Sequence, residues 1–246
     1  MKKILVMLAV VSAVAGNAQD RVVHTRHMAW AGLLGEYKFN DRWSAWLDAQ
    51  FRHEYTDGDI FQWCLRPSAT WKSKRNVLLS PGFSYWQLYP NPNGAVPRQE
   101  IRPWQEIGYK FKSGTHHVIY PRARFEQRFI REYAGAELAH EFTFHSFRLR
   151  LRIDYTYLLG KEGKSSPFFL FAGNEFFVYQ NTSGFSAFDQ NRAWAGVGYK
   201  FNADHSVQLS YLYLYQQRNS AVADQFHVAR VIYQFMFASK PKEEAK

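Results

Sequence analysis

The chain has 246 residues, 18% of them aromatic (Trp 8, Tyr 15, Phe 21), and a formal charge of +10, yet its mean hydropathy is only −0.42. No internal stretch approaches the roughly 20 continuous apolar residues a membrane helix needs, and the one cysteine, Cys64, excludes an intramolecular disulfide scaffold. The basic balance in an exported chain points to anionic lipid headgroups or acidic glycans, with no nucleic-acid partner expected.

Export is read from the N-terminus. Lys2 and Lys3 precede an apolar run from Ile4 to Ala15, and the small residues Gly16 and Ala18 stand at −3 and −1 of a cut before Gln19. This is the pattern of a secretory signal peptide over residues 1–18. Loss of the two lysines leaves a charge of about +8, and Cys64 is too far from the cut to be acylated as in a lipoprotein. Residues 19–238 then form one domain, followed by a charged tail over 239–246.

Period-two segments recur along that domain. Trp43, Ala45, Leu47, Ala49 and Phe51 share one strand face, with Asp48, Gln50, Arg52 and Glu54 on the other. Phe61, Trp63, Leu65, Ala69 and Trp71 oppose Gln62, Cys64, Arg66, Ser68 and Thr70. Ile101, Ile107, Tyr109 and Phe111 oppose Glu100, Arg102, Trp104 and Glu106. Ile119, Ala123, Phe125 and Phe129 oppose Arg122, Arg124, Glu126 and Arg128. The strictest case is Phe147 to Tyr155, where Arg148, Arg150, Arg152 and Asp154 alternate with Phe147, Leu149, Leu151, Ile153 and Tyr155. Val207, Leu209, Tyr211, Tyr213 and Tyr215 share a face, as do Ala229, Val231, Tyr233, Phe235 and Phe237. The segments run about ten to fourteen residues, the length of a tilted membrane strand and not the ~5 to 6 of a soluble one.

Tight turns with an aromatic-Lys start (37–41, 71–74, 109–114 and 199–204) alternate with longer connections at 90–98, 131–139, 181–190 and 218–224. Short turns at one rim and long loops at the other are the plan of a bacterial outer-membrane barrel. Eleven long segments begin near residues 27, 43, 60, 77, 99, 116, 140, 167, 191, 205 and 225. Single-chain bacterial barrels have even strand numbers, so a twelfth strand from residues 20–26, or an N-terminus in the lumen, is needed to restore parity. The expectation is an all-β, antiparallel transmembrane β-barrel of about twelve strands, ten being the alternative, with a polar Arg/Glu-rich lumen.

Five stretches, in order and spacing, resemble the motifs of domain-of-unknown-function family 2490: Arg102 to Glu106, Arg122 to Phe129, Arg148 to Arg150, Asn174 to Phe177, and Asn191-Arg192 followed by Gly196 to Tyr199. The resemblance covers nearly the whole exported chain. It implies an outer-membrane β-barrel of a Gram-negative bacterium and leaves the activity open. Outer-membrane lipid and lipopolysaccharide, and in biogenesis the barrel-assembly machinery and periplasmic chaperones, are the partners expected of such a barrel.

The charged residues of these motifs fall on the lumen parity. Glu100, Arg102 and Glu106, then Arg122, Arg124, Glu126 and Arg128, then Arg148, Arg150, Arg152 and Asp154 line three adjacent strands, seven arginines against four acids. Glu175 from another strand offsets one of them, while Arg192 adds a further cation and Trp104 a ring on which an arginine can stack. An unpaired buried guanidinium is costly, so the surplus is hydrated, paired across the lumen, or matched by a small anionic ligand. The bland alternative is a charge lattice that plugs the barrel. Enzymatic signals are weak: His140 and His145 in His-Glu-Phe-Thr-Phe-His are five apart on a strand and so face apart, unlike a zinc-protease helix. No metal or cofactor is expected. A lipid-modifying enzyme whose Ser and His come from different strands stays as the rival to an anion-binding or anion-conducting barrel.

Overall fold

The computed structural model describes residues 21–56, 60–88, 96–134, 137–161, 164–181, 184–219 and 221–239. The signal segment 1–18 and the tail from 240 onward lie outside them. The chain folds as β1 (Val22–Lys38), β2 (Trp43–Glu54), β3 (Ile60–Lys72), β4 (Val77–Leu88), β5 (Arg98–Tyr109), β6 (Phe111–Ser113), β7 (His117–Ile130), β8 (Tyr133–Ala134), β9 (Glu137–Leu138), β10 (Thr143–Lys161), β11 (Lys164–Asn181), β12 (Gly184–Lys200), β13 (His205–Gln217) and β14 (Val222–Ala238). Eleven of these close a barrel, with β6 prolonging β5 beyond Lys110 as the twelfth member of the sheet. β8 and β9 form a small hairpin in the connection between β7 and β10.

Neighbours pair antiparallel except at one seam. There β1 lies parallel to β14, from Val22 opposite Val222 to Lys38 opposite Ala238. This resolves the parity problem: an even number is required only when the first and last strands pair antiparallel. Residues 22–26 are the opening of β1 and not a separate strand.

Turn chemistry explains the repeated wording of the short hairpins. The Asn40 side-chain oxygen accepts from the backbone N–H of Arg42 and Trp43 (2.9 and 3.0 Å), and Asn202 does the same for Asp204 and His205 (2.8 Å each). An Asn that mimics a backbone turn in this way fixes the reversal. Asn219 repeats the arrangement at the opposite rim. The long loop expected at 181–190 is shorter, because β11 and β12 continue to pair as far as Asn181 opposite Gly184. Polar residues there still offer backbone donors and acceptors, and pairing satisfies them.

The strand pleat sorts side chains in the expected sense. Outward, Val197, Leu209, Val231, Ala31 and Phe51 stand side by side across β12, β13, β14, β1 and β2. Leu33, Leu47, Ile107 and Leu151 are likewise exposed. At the tight-turn rim Tyr37 meets Phe39, Tyr199 meets Phe201 and Phe235 meets Phe237 edge to face at 5.0–5.6 Å. Inward, the barrel is divided. One sector is charged, while Met28, Trp30, Phe169, Phe171, Trp194, Leu212, Leu214, Phe226 and Val228 form an apolar cluster on β1 and β11 to β14.

Glycines allow close approach between the walls and their contents. A Cβ on Gly196 would lie 2.1 Å from the Leu209 carbonyl oxygen, and one on Gly82 would lie 2.1 Å from the Trp104 ring. The Gly196-Val197-Gly198 stretch is therefore a packing feature of β12, as a Gly in a strand commonly is.

Candidate functional site

β5, β7 and β10 are adjacent, so their alternating charges meet on one wall of the lumen. Glu100, fully buried, accepts two bonds from Arg102 (2.6 and 2.8 Å) and two from Arg128 (2.6 and 3.2 Å). Glu126 accepts two from Arg148 (2.9 and 2.6 Å) and one from Arg150 (2.5 Å), and Arg150 turns its other edge to Glu175 (3.0 and 2.6 Å). Glu106 takes Arg124 at 2.8 Å and Arg122 at 3.5 Å, while Asp154 takes Arg122 at 2.5 Å and Arg152 at 2.8 and 2.7 Å. Arg192 reaches Glu175 only at 3.6 Å.

Register puts like charges opposite one another, Arg150 facing Arg124 and Arg152 facing Arg122. The planar guanidinia of Arg122 and Arg150 resolve the conflict by reaching carboxylates on the strands to either side, while Arg124 turns to Glu106 and Arg152 to Asp154 of its own strand. Aromatic faces take the rest: Arg124 lies 3.7 Å from the centre of the Trp104 ring, Arg152 lies 4.6 Å from Trp194, and Arg148, Arg150 and Arg192 surround Phe177 at 5.2, 5.0 and 4.6 Å. Trp104 itself donates to Ser84 at 3.1 Å.

A family described as "Protein of unknown function (DUF2490)" has a model that matches residues 28–227. The chain belongs to this family. An uncharacterized protein of Methylorubrum extorquens is 28% identical to it over 153 residues, which is 60% of this chain and 60% of that relative. Among solved structures, the beta domain of the Bordetella autotransporter BrkA superposes with a TM-score of 0.45 at 13% identity, covering 80% of this chain and 84% of that one.

In this DUF2490 barrel all fourteen residues singled out from the sequence, Glu100, Arg102, Trp104, Glu106, Arg122, Arg124, Glu126, Arg128, Arg148, Arg150, Arg152, Asp154, Glu175 and Arg192, project inward. Thirteen enter the ion-pair network, and Trp104 is the ring beneath Arg124. Cys64 is a buried free thiol on the same side. His140 stands in the connection after β9, and His145 is the bulged residue between Phe144 and Ser146, with Ser146 turned inward. Among the described residues no group of three or more His, Cys, Asp or Glu is placed to hold a metal ion.

Sequence reasoning missed a second part of the interior. Arg52 on β2 is 6% exposed and wedged between Trp30 (4.0 Å) and Trp86 (4.6 Å), with Gln50 at 2.9 Å as its hydrogen-bond acceptor. Its lumen parity was visible in the alternation of β2. What the sequence hid was its company, because close to Trp30 and Trp86 both faces of the strand are largely apolar or small. Further pairs, Arg66 with Asp48 and Arg26 with Glu54 and Asp224, tie other walls of the lumen.

Proposed function

We propose that this chain is an outer-membrane barrel that binds a small anionic compound in its Arg-rich lumen. Membrane residence is supported by the outward apolar belt, by the aromatic rims and by strands of 12–19 residues in the barrel wall, long enough to cross a hydrocarbon layer. The observation that carries the ligand reading is the imbalance of charge. Arg102, Arg122, Arg124, Arg128, Arg148, Arg150, Arg152 and Arg192 share Glu100, Glu106, Glu126, Asp154 and Glu175, with Asp189 a more distant partner of Arg148, and Arg52 has no carboxylate within 4.0 Å among the described residues. A low-dielectric interior with excess fixed cations attracts anions.

Binding is favoured over free conduction because the charged and apolar sectors adjoin and engage inside the barrel, Arg152 lying over Trp194 and Arg192 over Trp30. Equilibrium dialysis of detergent-purified protein against radiolabelled inorganic phosphate at low ionic strength tests this. About one phosphate bound per barrel is expected, weakening as chloride is raised. No binding above that of empty micelles would refute it, as would recovery of the native protein from the periplasm without detergent.

A further inference from the structure

We propose that the lumen contains a specific site for a small oxyanion, a phosphate or carboxylate, formed by Arg52, Arg192, Trp30 and Trp86. This rests on the reading above and gives it an address. Four buried N–H groups there have no acceptor among the described residues: Nε of Arg52, Nε of Arg192, and the indole Nε1 of Trp30 and of Trp86. They are neighbours, for the guanidinium carbons of Arg52 and Arg192 lie 4.0 and 5.5 Å from the centre of the Trp30 ring, and Arg52 lies 4.6 Å from that of Trp86.

Stacking on indoles does not satisfy these groups. A ring occupies the face of a guanidinium, while its N–H bonds point outward in the plane of the fork. Arg52 spends part of that edge on Gln50, and Nε is left. Among the described residues Arg192 has only Glu175 as a carboxylate partner, at 3.6 Å, and shares it with the much closer Arg150 at 2.6 Å. Everywhere else in the lattice each arginine of β5, β7 and β10 has a carboxylate within 3.5 Å. Nε of Arg122 is also without an acceptor among the described residues, but its terminal nitrogens reach both Glu106 and Asp154, a compensation that Arg52 and Arg192 lack.

The polarity of the cluster selects the ligand. Water accepts hydrogen bonds but also brings hydrogens that need acceptors, whereas four donors and two cations call for a group that only accepts and carries negative charge. Gln190, the next inward residue from Arg192 on β12, has an undonated Oε1, so its amide can turn either end to such a ligand. An oxyanion also screens the like charges of Arg52 and Arg192, which share no carboxylate among the described residues.

The test is thermal unfolding of the detergent-solubilised full chain while inorganic phosphate or acetate replaces chloride at constant ionic strength. The wild type is expected to show a saturable rise in midpoint. Arg52→Met should move half-saturation at least about tenfold higher, the value of a charge-assisted bond, and Trp30→Phe, which keeps a ring and removes one N–H, should move it several-fold. A wild type without a saturable rise for either anion overturns both this site and the function proposed above. A rise unchanged in Arg52→Met and Trp30→Phe but weakened in Arg152→Met overturns the site alone. Should Arg52→Met not fold, unchanged half-saturation in both Trp30→Phe and Arg52→Lys has the same overturning force.

Discussion

Glu126→Gln is the sharpest probe of the lattice. Glu126 is 1% exposed and receives three hydrogen bonds from Arg148 and Arg150. The amide keeps one oxygen and the shape but loses the charge, and its NH2 end meets a guanidinium instead of accepting from it. Arg150 retains Glu175, whereas Arg148 is left with Asp189 at 3.7 Å. Removing one partner of a buried pair costs about 3–5 kcal/mol, and since the remaining amide oxygen still accepts, about 3 kcal/mol is expected. That is roughly a hundredfold in the folding equilibrium. Urea unfolding in lipid vesicles, followed by the heat-dependent gel shift of the barrel, would read it. Because most of the cost is an uncompensated cation, the double variant Glu126→Gln/Arg148→Met should recover part of the loss. An unchanged midpoint for Glu126→Gln, or a double variant that is worse than additive, would refute the argument and mean that water fills this part of the lumen.

Two further outcomes follow from position. Leu209→Arg, on the outward belt near mid-strand, should cost about 2–4 kcal/mol and reduce assembly into membranes, while Gln208→Arg on the adjacent inward position should cost less; equal effects in a folding titration would contradict the assigned faces. Gly196→Ala should destabilise by about 1–3 kcal/mol, because its Cβ meets the Leu209 carbonyl oxygen and the backbone cannot step aside; a neutral result in the same titration would show that β12 and β13 can move apart there.

The charged wall was legible because its strands alternate strictly. Between Phe147 and Tyr155 every second residue is ionised, and only a strand in contact with two different environments accounts for that. Turn residues such as Asn40 and Asn202 placed the reversals for an equally local reason. The apolar sector was not legible, since on β1 the run Met28-Ala29-Trp30-Ala31-Gly32-Leu33 is apolar on both faces and hydropathy cannot separate inside from outside. Trp30 consequently went unnoticed as the floor beneath Arg52 and Arg192. Nor was the closure legible. Pairing of β1 with β14 joins residues 200 positions apart, and the choice between parallel and antiparallel leaves no mark in either strand alone.

That seam has a topographical consequence. An even-stranded barrel returns its last residue to the side on which its first began, but here Val22 and Ala238 belong to opposite rims, Val22 bonded to Ala221 just before β14 and Ala238 paired with Lys38 beside the tight turn at 39–42. In the proposed membrane the start of β1 is thus exposed to one compartment and the end of β14 to the other. Assembly has to carry one of them across before the wall can shut, and the evenly slanted bonds of a parallel pair, slightly weaker per residue than those of its neighbours, are offset there by an unbroken register from Val22 to Lys38.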